Sequence, residues 1–297
     1  MQHRSTGKTA SSVWRSSVAA SLSPVASIVR THDRDRFQTV LFAPGQVREA
    51  LFAIYAFNYE IARVRETVRE PMLGQIRLQW WREAIDAAYG EAQPRRHEVV
   101  EPLTTAIRSR GLSRGYFDRL IDARERDLDD APPATLTALE DYADGTSKPL
   151  IRLALETLGS ATPSTETAAA DIGVAYALTG LLRAMPVHAL AGRCFIPLDL
   201  ATEAGLEPAD YAAGRATPAL RRVVEIIVRA AERHLAAARA KRRDVPKAAL
   251  PALLPARIAS RALKRLERAG YDPFSGIGES DPLQSWRLAF AMLKGRF

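Results

Sequence analysis

Between Leu51 and Val68 the apolar residues Leu51, Ile54, Ile61, Val64 and Val68 recur at spacings of three, four and seven, the repeat of one face of an α-helix. The spacing predicts a core-facing helix. A second stripe, Tyr55, Asn58, Tyr59, Ala62 and Glu66, runs beside it and is expected to look into the space that the helix borders. Arg63 and Glu66, three apart, are expected to pair on that helix. Pro71 is expected to close it, and Gly74 to Tyr89 to form the next helix, with Leu73, Ile76, Trp80 and Ile85 on one side. Large aromatics dominate core burial, so Trp80 and Trp81 read as helix packing rather than as a stacking platform. Upstream, HDRDRF opens a short helix that ends in a turn at Pro44 and Gly45.

The same periodicity continues along the chain. Asp118, Asp122, Glu125 and Asp129 share one helical face, and with Arg119, Arg124 and Arg126 interleaved they are expected to be solvated. Gly145, Thr146 and Ser147 are small enough to let another backbone or a ligand approach. Apolar residues at 220, 223, 224, 227, 231, 235 and 238 predict one long helix over Ala219 to Asp244. A kink is expected near Pro251 and Pro255. The basic amphipathic stretch Arg257 to Arg268 could meet a membrane surface, although core packing is the preferred reading. No segment alternates with the period of a strand and no internal repeat is visible, so the chain reads as all-α.

Composition narrows the class. The 297 residues are 47% apolar and 26% charged, and no run of 18 apolar residues is long enough for a bilayer span. A net charge of +8, arginines far outnumbering lysines, favours anionic partners in general. The lone Cys194 excludes an intramolecular disulfide and fits a reducing compartment. Residues 1 to 22 are expected to be a flexible extension; the acid-free, serine-rich start shares the composition of an organelle transit segment. A cytoplasmic location, peripheral to the inner membrane if membrane contact is made, is expected, with the mitochondrial matrix as the alternative. There is no GxGxxG after a strand, no GxxxxGK and no GxSxG, and no two of the five histidines are spaced as ligands of one metal.

The words YAFN (residues 55 to 58) and LQWWREAI (78 to 85), then LTGLLR (178 to 183) and GRCFIP (192 to 197), resemble the squalene/phytoene synthase family. The resemblance implies a single-domain isoprenoid-synthase helical bundle around a central cavity, running from residue 23 to 297. In that family two aspartate-rich motifs hold magnesium against a prenyl diphosphate. Residue by residue, the first motif falls on Ala62, Arg63 and Glu66, and the second on Ala184, Val187 and His188, with Pro186, expected to break the helix, where the family's helix should continue. One of six acidic positions stays acidic. Magnesium needs oxygen ligands in near-octahedral array, so the expectation is no catalytic residue, no bound metal and no cofactor; magnesium enters only if the alternative, a prenyltransferase condensing two prenyl diphosphates, holds.

Within the family the chain is similar to a diverged branch that includes the mitochondrial NADH dehydrogenase (complex I) assembly factor, through FNYEIARVR, YADGT and LRAMPVH. That likeness implies a non-catalytic protein whose partners are complex I subunits. The candidate cavity is expected to be lined by Tyr55, Asn58, Tyr59, Arg63, Glu66, Arg183 and His188, and to take an isoprenoid or lipid, with Arg183 the stronger anion site. Nucleic acid is not an expected partner.

Overall fold

The computed structural model describes residues 22–297 apart from Ala92 and residues 277–280, so the expected extension lies outside the described residues save for Leu22. Helices α1 (Pro24–His32), α2 (Arg34–Val40) and α3 (Gly45–Ala62) lead into a single turn, α4 (Val64–Thr67), and α5 (Pro71–Tyr89). Next come α6 (Val100–Arg110), α7 (Arg114–Glu125), α8 (Leu136–Thr157) and α9 (Pro163–Leu190). The short α10 (Leu198–Ala204) and α11 (Pro208–Ala212) precede α12 (Pro218–Ala240), and α13 (Leu250–Leu253), α14 (Pro255–Arg268) and α15 (Gln284–Leu293) close the chain. Among the described residues there is no strand.

Side-chain caps start several helices where the sequence supplies them. Ser23, Asp33, Thr135 and Thr217 each accept a hydrogen bond from a first-turn amide, and Thr162 with Thr165 forms a reciprocal capping box at the head of α9. Helix α9 is the centre of the bundle and packs against α8, α12 and α14, while α3 packs against α1, α6 and α8. It is long and apolar enough to cross a bilayer by composition, yet Ile172, Val174, Leu178 and Leu182 are buried inside the protein. It is a core helix. Helix α12 buries all seven positions that its periodicity singles out, Leu220, Val223, Val224, Ile227, Ala231, Leu235 and Ala238. It ends at Ala240, four residues before the expected boundary, and passes into a 3-10 turn at Arg242–Asp244.

Four further expectations need correction. The first long helix does not run to Pro71. It stops at Ala62, where Arg63 caps it, and Pro71 opens α5 with its fixed φ at the first helical position, where a missing N–H is harmless. On α5 the buried face is Gly74, Leu78, Trp81, Ile85 and Ala88, whereas Leu73 and Ile76 are exposed. The cause is close approach: a Cβ on Gly74 would lie 2.3 Å from Leu128, so Gly74 must face inward and the apolar residues flanking it cannot. Asp129 lies past the end of α7 and leaves the acidic face to Asp118, Asp122 and Glu125, which pair with Arg114 and Arg82. Pro186 does not interrupt α9, which continues to Leu190.

Candidate functional site

Two polar clusters lie where the diverged positions converge. The first joins α2, α3, α9 and α15. Asp33 caps α2 and also accepts from the Arg36 guanidinium at 2.6 Å. That guanidinium is nearly buried, with the rings of Tyr55 and Tyr176 at 5.6 and 4.9 Å. Asp35 accepts from Arg183 at 2.6 Å, from the Gln284 amide at 2.8 Å and from the Tyr176 hydroxyl at 3.4 Å. Burial pushes the Asp35 carboxyl up, but Arg183, Gln284 and Arg36 outweigh it and hold the group below the usual carboxylate range. Burial raises the Tyr55 phenol to about 12 and Tyr176 well above its ordinary value, so both stay neutral. A recess of about 270 Å³, lined by His32, Asp33, Asp35, Gln38, Arg183 and Gln284 among others, opens beside this network. At its edge His32 stacks on Tyr59 at 4.2 Å, and Arg63 lies over the same ring at 5.2 Å.

The second cluster joins α7, α8, the end of α9 and the loop before α10. Asp127, buried in the turn after α7, accepts from Tyr142 at 2.7 Å, Arg124 at 3.2 Å and Arg193 at 3.4 Å. His188 packs on the Phe195 ring at 4.8 Å. Burial, then the charge of Arg193, lowers His188 to about 4 against a smaller pull from Asp127, so the ring is neutral near pH 7. Tyr142, Arg193 and Phe195, with Leu139, Pro132 and Pro133, line a second recess of about 260 Å³.

The expected site is therefore partly assembled. Arg183 lines the first recess, Tyr59 and Arg63 stack behind His32 at its edge, and Tyr55 is buried against Arg36 without lining it. His188 belongs to the other cluster. Asn58 is buried with its Oδ1 lacking a hydrogen-bond partner among the described residues. Glu66 is exposed on α4 and does not pair with Arg63, which instead meets Glu60 at 3.5 Å; ending α3 at Ala62 turns Glu66 away. Nor is Arg183 a free anion site, because Asp35 already neutralises it. The sequence reading missed Asp33, Asp35 and Arg36, although charges recurring between Val29 and Val40, both buried, are the signal that could have found them. It also passed over Arg193 as a pocket residue.

The donor set does not fit magnesium. Ala62 and Ala184 bring no oxygen, Val187 and Glu66 face solvent, and Arg63 brings a positive charge. No three His, Cys, Asp or Glu side chains among the described residues are grouped to hold a metal ion.

Comparison with known proteins agrees with the residue pattern. The squalene/phytoene synthase family model matches residues 29–293. A Mus musculus protein named NADH dehydrogenase (ubiquinone) complex I, assembly factor 6, is 32% identical over 295 residues, covering 94% of this chain and 88% of the relative. A presqualene diphosphate synthase from Rhodopseudomonas palustris is 30% identical over 196 residues, 66% of this chain and 69% of the relative. Squalene synthase HpnC from Alicyclobacillus acidocaldarius superposes with a TM-score of 0.74 at 23% identity, covering 84% of this chain and 94% of the other.

Proposed function

The chain belongs to the squalene/phytoene synthase family, and from that premise we propose that it is a non-catalytic member that assists assembly of NADH dehydrogenase (complex I), with subunits of that complex as its partners. The observation that carries this reading is the neutralised site. Ionising a prenyl diphosphate requires its leaving group to be matched by cations. Here five of the six family acids are replaced, and Arg183 and Arg36 are engaged by Asp35 and Asp33. The relatives named as assembly factors cover most of the chain and support the choice of client. A location peripheral to the inner membrane, on its cytoplasmic or matrix side, is where the protein is to be sought.

Deleting the gene is expected to lower the amount of assembled NADH dehydrogenase while triterpene and carotenoid levels hold. Normal assembly in the deletion strain would sink the client; a missing triterpene or carotenoid would restore the prenyltransferase. A ligand reading stands beside this one, because the second recess pairs an apolar wall of Leu139, Tyr142, Phe195, Pro132 and Pro133 with a charged one of Arg193, Arg126, Asp129 and Asp130. Extraction of an isoprenoid or lipid from the purified protein tests it, and loss of that ligand in Phe195→Asp is the expected result.

A further inference from the structure

Helix α14 is divided lengthwise. Ile258, Ala259, Ala262, Leu263 and Leu266 face the core, and the other side carries Arg257, Arg261, Lys264, Arg265 and Arg268. Helix α15 crosses beside it, held by Leu288 and Ala291 against Leu254 and Ile258. Between the two lies a recess of about 430 Å³, with Arg257, Lys264, Arg268, Trp286 and Phe290 on its walls. Asp281 is the acid in that recess, and it is matched by Arg261 and by Arg287 at 3.3 Å.

Helix α15 is apolar on its outer side as well as its inner one. Leu283, Trp286, Phe290 and Leu293 are 52%, 78%, 55% and 82% exposed, and their spacing puts them on one stripe. A stripe of that size facing water marks a surface that is covered in use. The adjoining charge identifies the cover. Surplus cations extend beyond α14, for Arg239 on α12 is held below the ordinary guanidinium range first by burial and then by Arg257 and Arg242. Long cationic chains beside a tryptophan, a phenylalanine and a leucine are the composition of helices that lie in the headgroup region of a bilayer.

We propose that α14 and α15 form a docking face for an anionic phospholipid bilayer. Trp286, Phe290 and Leu293 enter the boundary between headgroups and acyl chains, while Arg257, Lys264 and Arg268 sit on lipid phosphates. The face adjoins the first polar cluster, whose recess shares Asp281 and Gln284 with it, and it does not depend on the assembly role.

The test is co-sedimentation of the full chain with vesicles of phosphatidylcholine alone or with added phosphatidylglycerol. Binding is expected only to the anionic vesicles and to weaken as salt rises, with about a fivefold loss of affinity for each cation removed among Arg257→Gln, Lys264→Gln and Arg268→Gln. Trp286→Ser with Phe290→Ser is expected to reduce binding at least about tenfold without changing thermal unfolding, since both side chains are exposed. Arg222→Gln with Arg233→Gln, on α12, is the charge-matched control and is expected to bind as the parent does. Absence of binding to anionic vesicles overturns the proposal, as does binding that ignores lipid charge or survives Trp286→Ser with Phe290→Ser. A dimer in solution that this double substitution dissociates would assign the face to a second copy of the chain and overturn it too.

Discussion

Asp35 accepts from Arg183, Gln284 and Tyr176 together, and a half-buried guanidinium deprived of its carboxylate has no cheap alternative. Asp35→Asn is expected to lower the unfolding free energy near pH 7 by about 2–4 kcal/mol, read by urea denaturation. The sign with pH is fixed by the direction of the shift. Its folded carboxyl titrates below the unfolded one, so the stabilisation is present above about pH 4 and is lost as pH falls through the depressed folded value. Stability of the variant is expected to depend less on pH in that acid window. His188 acts in a higher one. The folded ring titrates at about 4, against about 6.5 when unfolded, so stability is full above about 6.5 and declines towards about 4 as the unfolded chain takes up a proton. His188→Gln is expected to remove about 2–3 kcal/mol of that decline, measured by denaturation at successive pH values; an unchanged slope would show that the ring is not held neutral.

At the scale of elements, α8 and α9 meet so closely that a Cβ on Gly173 would lie 2.8 Å from the Lys148 amide nitrogen. Backbone cannot swing aside as a side-chain tip does, so Gly173→Ala is expected to destabilise by about 1–3 kcal/mol. Gly180, on the same helix with nothing near its absent Cβ, is the internal control: Gly180→Ala is expected to be neutral or to stabilise by up to about 1 kcal/mol, read by thermal unfolding. Contacts of this kind explain what was legible in the sequence. The buried stripe of α12 was, because a helix that packs on one side repeats its apolar residues at a period set by its own geometry, whereas α3 is buried all round from Leu51 to Asn58 and its Tyr55 and Asn58 lie in the core. The face of α5 was not, since a glycine decides it and glycine has no hydropathy to show. Likewise the pairing of Asp35 with Arg183 spans 148 residues, a separation no local spacing encodes, so the two clusters had to be read from coordinates.

For the whole molecule, the decisive question is whether a metal stabilises the fold. Any ligand that binds the folded state alone stabilises it by about 2.7 kcal/mol at a hundred times its dissociation constant. With the family's carboxylates at 62, 63, 184, 187 and 188 absent, millimolar magnesium is expected to leave the melting temperature unchanged, alone or with a prenyl diphosphate, and no pyrophosphate is expected to appear. A rise of several degrees would reveal a magnesium site assembled from other residues. The helix break at Arg63 stands against restoring a metal site by substitution. Returning aspartates to positions 62, 63 and 66 would leave two carboxylates at the end of α3 and the third on a separate exposed turn, while Asp35 still occupied Arg183. A magnesium site on the family's pattern would thus take several coordinated changes, in the helix boundary as well as in the side chains, so no single substitution is expected to install one.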